Sequence, residues 1–113
     1  MKSPITTHIL DTSLGRPAEG VKIELFRETG SNSTKIGEGK TDSDGRVTDL
    51  LKPGSLEAGH YRIKFDTGGY YAARGEETFY PTVNVDFTIK AVDEHYHVPL
   101  LLNPYGFSTY RGS

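Results

Sequence analysis

Apolar and polar positions alternate along much of the chain. Ile5, Thr7 and Ile9 share one face of an extended segment rich in β-branched residues, and Thr6, His8 and Leu10 share the other. Val21, Ile23 and Leu25 alternate with Lys22, Glu24 and Phe26, the pattern of a half-buried strand. Tyr61, Ile63 and Phe65 repeat it, and Val83, Val85, Phe87 and Ile89 form the cleanest period-two run. Near the end, apolar Val98 to Leu102 is followed by the turn signal Asn103-Pro104-Tyr105-Gly106 and a short aromatic strand, Phe107 to Tyr110. Weaker strands are predicted over 34–40, polar and glycine-rich and hence an edge, and over 46–50. Between them Asp42-Ser43-Asp44-Gly45 predicts a tight hairpin turn, because glycine takes positive φ at no steric cost. Residues 11–20, with Gly15-Arg16-Pro17, predict a loop. The one plausible helix is Thr67 to Arg74: Asp66 or Thr67 can cap it, Ala72 and Ala73 favour it, and Gly75 can end it. Gly68 and Gly69 weaken its start.

Eight short strands with turns between them and one small helix predict an all-β fold, an antiparallel sandwich or barrel. The 113 residues hold no repeat, linker or low-complexity tract, so 1–113 reads as a single domain. A chain of this size buries well over half of its unfolded surface and needs no staple. It has no cysteine, which excludes disulfides, thiolate chemistry and zinc–cysteine sites. The formal net charge of −2 and the lack of a basic run argue against a nucleic-acid partner. No apolar run approaches membrane-spanning length. Met1-Lys2-Ser3-Pro4 leads straight into a strand with no signal-peptide core, so the expected location is cytoplasmic, or peroxisomal in a eukaryote.

Few residues carry chemistry. His95 and His97 lie two apart and so share a strand face. They could bind a metal or present imidazoles to a pocket, but no third ligand stands out. His8 lies on the face opposite Ile5 and Ile9, and Arg46 directly follows a turn. Taken singly, each of these reads first as a surface or structural side chain. As a set they differ: histidines suit proton transfer near neutral pH, and arginine offers a planar fork of donors to an anionic or carbonyl-rich ligand. The final residues, Tyr110-Arg111-Gly112-Ser113, form an odd solvated tail but a reasonable wall of a polar site.

That tail, with His95-Tyr96-His97-Val98-Pro99-Leu100-Leu101-Leu102, Thr7-His8-Ile9-Leu10-Asp11, Gly15-Arg16-Pro17-Ala18 and Asp44-Gly45-Arg46, resembles the 5-hydroxyisourate hydrolases of the transthyretin-like family. Gly59-His60-Tyr61 and Phe79-Tyr80-Pro81 fit the same pattern, so the resemblance spans essentially the whole chain. It implies an eight-stranded transthyretin-type sandwich with a short helix, assembled as a homotetramer, a dimer of dimers, with the site in a channel between dimers. It implies hydrolysis of 5-hydroxyisourate, the product of urate oxidation, at a cyclic amide bond. His8, Arg46 and His97 are then the catalytic candidates, with His97 or His8 as base and Arg46 on the oxyanion. Ser108 or Thr109 could be hydroxyl partners. Ser108, Tyr110, Arg111, Gly112 and Ser113 are the further substrate contacts. An activated cyclic amide requires no metal or organic cofactor. Two other readings remain: a small-ligand carrier on the same channel, as transthyretin is, and an immunoglobulin-like interaction module.

Overall fold

A computed structural model describes residues 3–112. Two sheets enclose one apolar core. The first sheet contains β1 (Ile5–Asp11), β2 (Arg16–Pro17), β5 (Arg46–Val47), β8 (Tyr96–Asn103) and β9 (Gly106–Thr109), with β8 between β1 and β9 and the short β2 and β5 both on the far side of β1. The second runs in the order β4 (Asn32–Lys40), β3 (Lys22–Thr29), β6 (Gly59–Phe65), β7 (Val83–Ile89). The helix α1 (Thr67–Ala73) joins β6 to β7. The predicted alternation sets the inner faces: Ile5 and Ile9, Ile23 and Leu25, Tyr61, Ile63 and Phe65, Val83 and Ile89, and Val98, Leu100 and Leu102 are all buried. Burying each such side chain stabilises the sandwich by about 1.5–3 kcal/mol. Polar Thr7 is also fully buried, and its hydroxyl donates to the Val98 carbonyl at 2.6 Å.

The structure differs from the sequence-based expectation in four places. The 11–20 loop contains a two-residue strand, β2, paired with Leu10 and Asp11, so the described residues hold nine strands. The strand predicted over 46–50 shrinks to Arg46–Val47. The Asp42–Gly45 turn does not close a hairpin, because β4 belongs to one sheet and β5 pairs with β1 in the other. It is a corner at which the chain changes sheets. Finally, β1 and β8 run parallel, while every other strand pair is antiparallel. These two strands lie far apart in sequence, so no tight turn dictates their direction.

The helix forms where predicted, with Asp66 as its cap: its Oδ1 accepts the Gly69 N–H at 3.0 Å. Gly68, which weakens the helix intrinsically, is required by packing, since a Cβ there would lie 2.8 Å from the Pro81 carbonyl oxygen. The helix is tied to the first sheet by a buried carboxylate. Asp11, at the end of β1, is fully buried and accepts from Tyr70 Oη at 2.8 Å, Arg74 Nη1 at 2.9 Å and Ser13 Oγ at 2.6 Å, and also from the Ser13 and Leu14 amides. Burial pushes its carboxyl up, but the hydrogen bonds from Ser13, Tyr70 and the two amides outweigh it and leave the group below its ordinary value. Burial and the Asp11 hydrogen bond together push the Tyr70 phenol up to about 12.

Removing Arg74 as Met should destabilise the fold at neutral pH, because it takes a partner from the fully buried Asp11 carboxylate. Asp11 titrates lower in the folded protein than unfolded. Its stabilisation is therefore present above the unfolded value of about 3.9 and lost as pH falls through the folded one. Urea unfolding at pH 7 and pH 3 checks both: wild type and Arg74→Met should differ at pH 7, and the gap should narrow in acid as Asp11 takes a proton.

Candidate active site

The outer face of the first sheet gathers the candidate side chains. In β1 the side chains turned away from the core are Thr6, His8 and Leu10, and in β8 they are His97, Pro99 and Leu101. The parallel register sets Thr6 beside His97, His8 beside Pro99 and Leu10 beside Leu101. His95, just before β8, falls on the same face. The His95 and His97 rings lie 6.4 Å apart with planes 22° apart, and His97 and His8 are 6.4 Å apart at 27°. The three imidazoles thus form a row with His97 in the middle. The Thr6 hydroxyl sits at its inner edge, 2.8 Å from His97 Nδ1 and 3.0 Å from His95 Nε2. The rings stack rather than converge, and among the described residues no group of three His, Asp or Glu side chains could hold a metal ion.

Arg46 reaches this face through the sheet-changing corner. The Asp42 carboxylate accepts the Asp44 and Arg46 amides at 2.9 and 3.0 Å. The Arg46 amide bond is the main cause that holds Asp42 below its ordinary value, with burial acting against it. Gly45 takes φ +74°, and its carbonyl accepts the Ile9 N–H at 2.7 Å. An added Cβ at Gly45 would stand 2.5 Å from the Ile9 carbonyl oxygen. Only glycine lets the corner dock this closely on β1, and the docking places Arg46 directly opposite His8. Residues opposed in this way project on the same side of a sheet.

The tail returns along β8. Leu102, Leu101 and Leu100 pair with Phe107, Ser108 and Thr109, and a further bridge joins His97 to Gly112 in the same register. The ladder breaks between them because Pro99 has no N–H to give Tyr110, which the register places opposite it. The Thr109 hydroxyl bonds the Pro99 carbonyl instead, at 2.8 Å. The tail is re-anchored where the Gly112 N–H donates to the His97 carbonyl at 2.8 Å. A Cβ on Gly112 would lie 2.6 Å from His97 Cδ2, so glycine alone allows the tail to rest on the ring.

The remaining predicted contacts are less closely gathered. Tyr110 is exposed and lines, with His97 and Arg111, a cavity of about 340 Å³ against β7 residues 85–88. His8 and Arg46 are not among the residues that line this cavity. Arg111 turns to the Tyr96 side of the sheet: its guanidinium lies 4.5 Å from the centre of the Tyr96 ring and 2.8 Å from the Glu94 carboxylate. Ser108 shares the histidine face but pairs with Leu101, about 13 Å along β8 from His97. Ser113 lies outside the described residues. Sequence reasoning passed over Thr6, which looked like an ordinary strand former. The available signal was that it shares a face with His8.

A two-sheet sandwich with one short helix, bearing imidazoles and a guanidinium on the outer face of one sheet, defines a transthyretin-like protein. The chain belongs to the HIUase/Transthyretin family, whose model matches residues 5–112. It is 44% identical over 113 residues to 5-hydroxyisourate hydrolase of Mus musculus, covering 98% of this chain and 96% of that one. It is 44% identical over 109 residues to that of Salmonella typhimurium, covering 96% and 80%. The solved Klebsiella pneumoniae 5-hydroxyisourate hydrolase superposes with TM-score 0.84 at 37% identity over the whole of both chains. Sea bream transthyretin, solved with thyroxine, superposes at 0.91 with 32% identity, covering 96% and 94%.

Gly112→Ala should lift the tail off His97 and leave the core untouched. The expected result is a change in unfolding free energy below about 1 kcal/mol, as for a surface substitution, with faster amide exchange at position 112 and shifted His97 ring resonances. Unaltered His97 resonances would show that the ring does not depend on the tail.

Proposed function

We infer that this protein hydrolyses 5-hydroxyisourate to 2-oxo-4-hydroxy-4-carboxy-5-ureidoimidazoline. The observation that carries the reading is the meeting of His8, His97 and Arg46 on one sheet face in a chain about as similar to mammalian as to bacterial hydrolases. Opening a cyclic amide needs an activated water, a polarised carbonyl and a protonated leaving nitrogen. His97 suits the role of base, because Thr6 holds its Nδ1 and thereby orients the ring, as a third group orients the base in hydrolytic triads. It takes the proton from water as the oxygen attacks the carbonyl carbon, and an imidazole proton then passes to the nitrogen as the C–N bond breaks. Arg46, beside His8, faces the developing oxyanion, and His8 holds the substrate's polar edge. Tyr110 closes the cavity side of His97. Gly112 packs against the His97 ring, while Ser108 and Arg111 lie away from it and take no part in proton transfer.

The reading includes a homotetramer, a dimer of dimers. The histidine face lies open on a lone chain, and β7 and β9 end their sheets without a neighbour among the described residues. Phe107 and Tyr110 are exposed beside that edge. A second copy across the open face would turn it into a channel and exclude bulk water. Size measurement at micromolar concentration should give four chains, and a stable monomer would remove the channel.

The second reading is a carrier, favoured by the TM-score of 0.91 to a transthyretin solved with thyroxine. Mixing the protein with urate and urate oxidase and following the hydroxyisourate absorbance separates the two. Decay above the buffer rate is expected of the hydrolase, and decay at the buffer rate of a carrier. Arg46→Lys keeps the charge and loses the fork of donors, so it should fold and assemble while losing on the order of a hundredfold in turnover.

A further inference from the structure

The Thr6 hydroxyl has one proton and stands within hydrogen-bond distance of two imidazole nitrogens, His97 Nδ1 and His95 Nε2. It can donate to one of them and must then accept from the other. With both rings neutral, two arrangements exist. In the first, Thr6 donates to His95 Nε2 and accepts from His97 Nδ1–H, so His97 Nε2 carries a lone pair. In the second, Thr6 donates to His97 Nδ1 and accepts from His95 Nε2–H, so His97 carries its proton on Nε2. A protonated His95 permits only the second. In the lone chain His95 is exposed, whereas His97 is half-buried.

We propose that Thr6 and His95 form a proton relay that sets the tautomer of His97, with Thr6 and His95 as positioning residues outside the substrate's reach. The proposal rests on the hydrolase reading for its catalytic consequence and on the Thr6 geometry for its existence. In the resting state the proton of His97 is on Nδ1 and not on Nε2. When the attacking water gives that nitrogen a proton, the Nδ1 proton moves to Thr6 Oγ1 and the Thr6 proton moves to His95 Nε2. His97 is then neutral with its proton on Nε2, and the positive charge rests on His95, at the solvent-facing end of the row. When His97 Nε2–H protonates the leaving nitrogen, the same two protons return and the resting state is restored. No proton is gained or lost over the cycle, and no co-reactant is needed. Placing the charge on an exposed ring in place of a half-buried one lowers its desolvation cost.

The surroundings suit such a device. His8 stacks on the far side of His97, Arg46 lies opposite His8, and both come from elements other than β8. Arg111 from the tail is neutralised by Glu94, and Asp93 and Glu94 line the surface hollow next to His95. With Glu94 paired to Arg111, Asp93 remains at the His95 end of the row and the guanidinium of Arg46 at the His8 end, a polarity that favours moving positive charge from His97 toward His95.

Nitrogen-15 NMR of the histidine rings in the intact, assembled protein tests the relay without substrate, and so independently of turnover. At alkaline pH His97 should carry its proton on Nδ1. As His95 titrates, His97 should convert to the Nε2–H form in the same pH range. If His97 keeps one tautomer while His95 titrates, the relay is refuted. The kinetic arm uses Thr6→Ser, Thr6→Val and His95→Gln. Thr6→Ser keeps the hydroxyl and should retain kcat within about twofold. Thr6→Val and His95→Gln should each lose about tenfold or more in kcat with KM little changed, since proton transfer by a positioned group is worth about 10²–10⁴. The acid limb of kcat/KM against pH should become shallower in both, because one coupled protonation has been removed. Wild-type kcat and an unaltered acid limb in His95→Gln would overturn the proposal even if Thr6→Val failed to fold.

Discussion

The parallel register between β1 and β8 is the constraint on which the functional face depends. Seven successive residue pairs, from Ile5 with Tyr96 to Asp11 with Leu102, lock the two strands. A slip by one residue would turn Thr6 and His8 into the core and bring Ile5 and Ile9 to the surface. The core forbids it, because Ile5, Thr7 and Ile9 are fully buried on the face that carries Val98, Leu100 and Leu102. The same burial that folds the sheet therefore sets a hydroxyl between two imidazoles on its other side. The chemistry needs no stabilising energy of its own to hold the row in line. Asp11 closes the far end of the pair and couples it to the helix, so a shift of β1 would also leave a buried carboxylate without its Tyr70 and Arg74 partners.

Alternation made the two inner faces legible in the sequence, and Tyr61-x-Ile63-x-Phe65 and Val83-x-Val85 fall where the pattern puts them. Pairing was not legible, because period two tells which side chains are buried and not which strand lies alongside. Asp42-Ser43-Asp44-Gly45 illustrates the limit. Its local chemistry is that of a tight turn, and a tight turn forms. Whether the next residues return along β4 or cross to β1 is decided by Gly45 docking on Ile9, a contact between residues far apart in the chain. The helix glycines show the same thing from the other side: propensity counts them as a cost, while Pro81 leaves Gly68 no room for a side chain. For the site, the family resemblance named His8, Arg46 and His97, and the strand register brings them to one face. Arg111 was grouped with them as part of one tail, yet strand alternation turns it to Tyr96 on the other side. Thr6 was hidden because threonine on a strand is unremarkable until its register partner is known.

Fold similarity alone does not choose between a carrier and a hydrolase. The chain superposes better on a transthyretin, at TM-score 0.91, than on the Klebsiella hydrolase, at 0.84, although the second covers both chains completely. This follows from the division of labour between the two sides of each strand. Inner positions must fill a core, whatever the outer face carries. Outer positions such as His8 and Arg46 face away from the core and are free to carry different chemistry. A chemical difference between the two has to be sought on the outer face, where this chain gathers Thr6, His8, Arg46 and His97.

The tail adds a further layer of control over the row. A proline in a central strand ordinarily weakens a sheet, because it removes a ladder donor. Here the missing donor of Pro99 points toward the tail and not toward β1, so the parallel pair that orders the histidines stays intact. The loss falls on residues 110–111, which lift out of the ladder while Gly112 rejoins it against His97. A continuous ladder would have held Tyr110 rigidly beside Pro99. With the break, Tyr110 lies outside the ladder between two bonded neighbours, Thr109 to Pro99 and Gly112 to His97. The final segment is thus pinned at the imidazole it covers, and the break in pairing falls beside His97 and not on it.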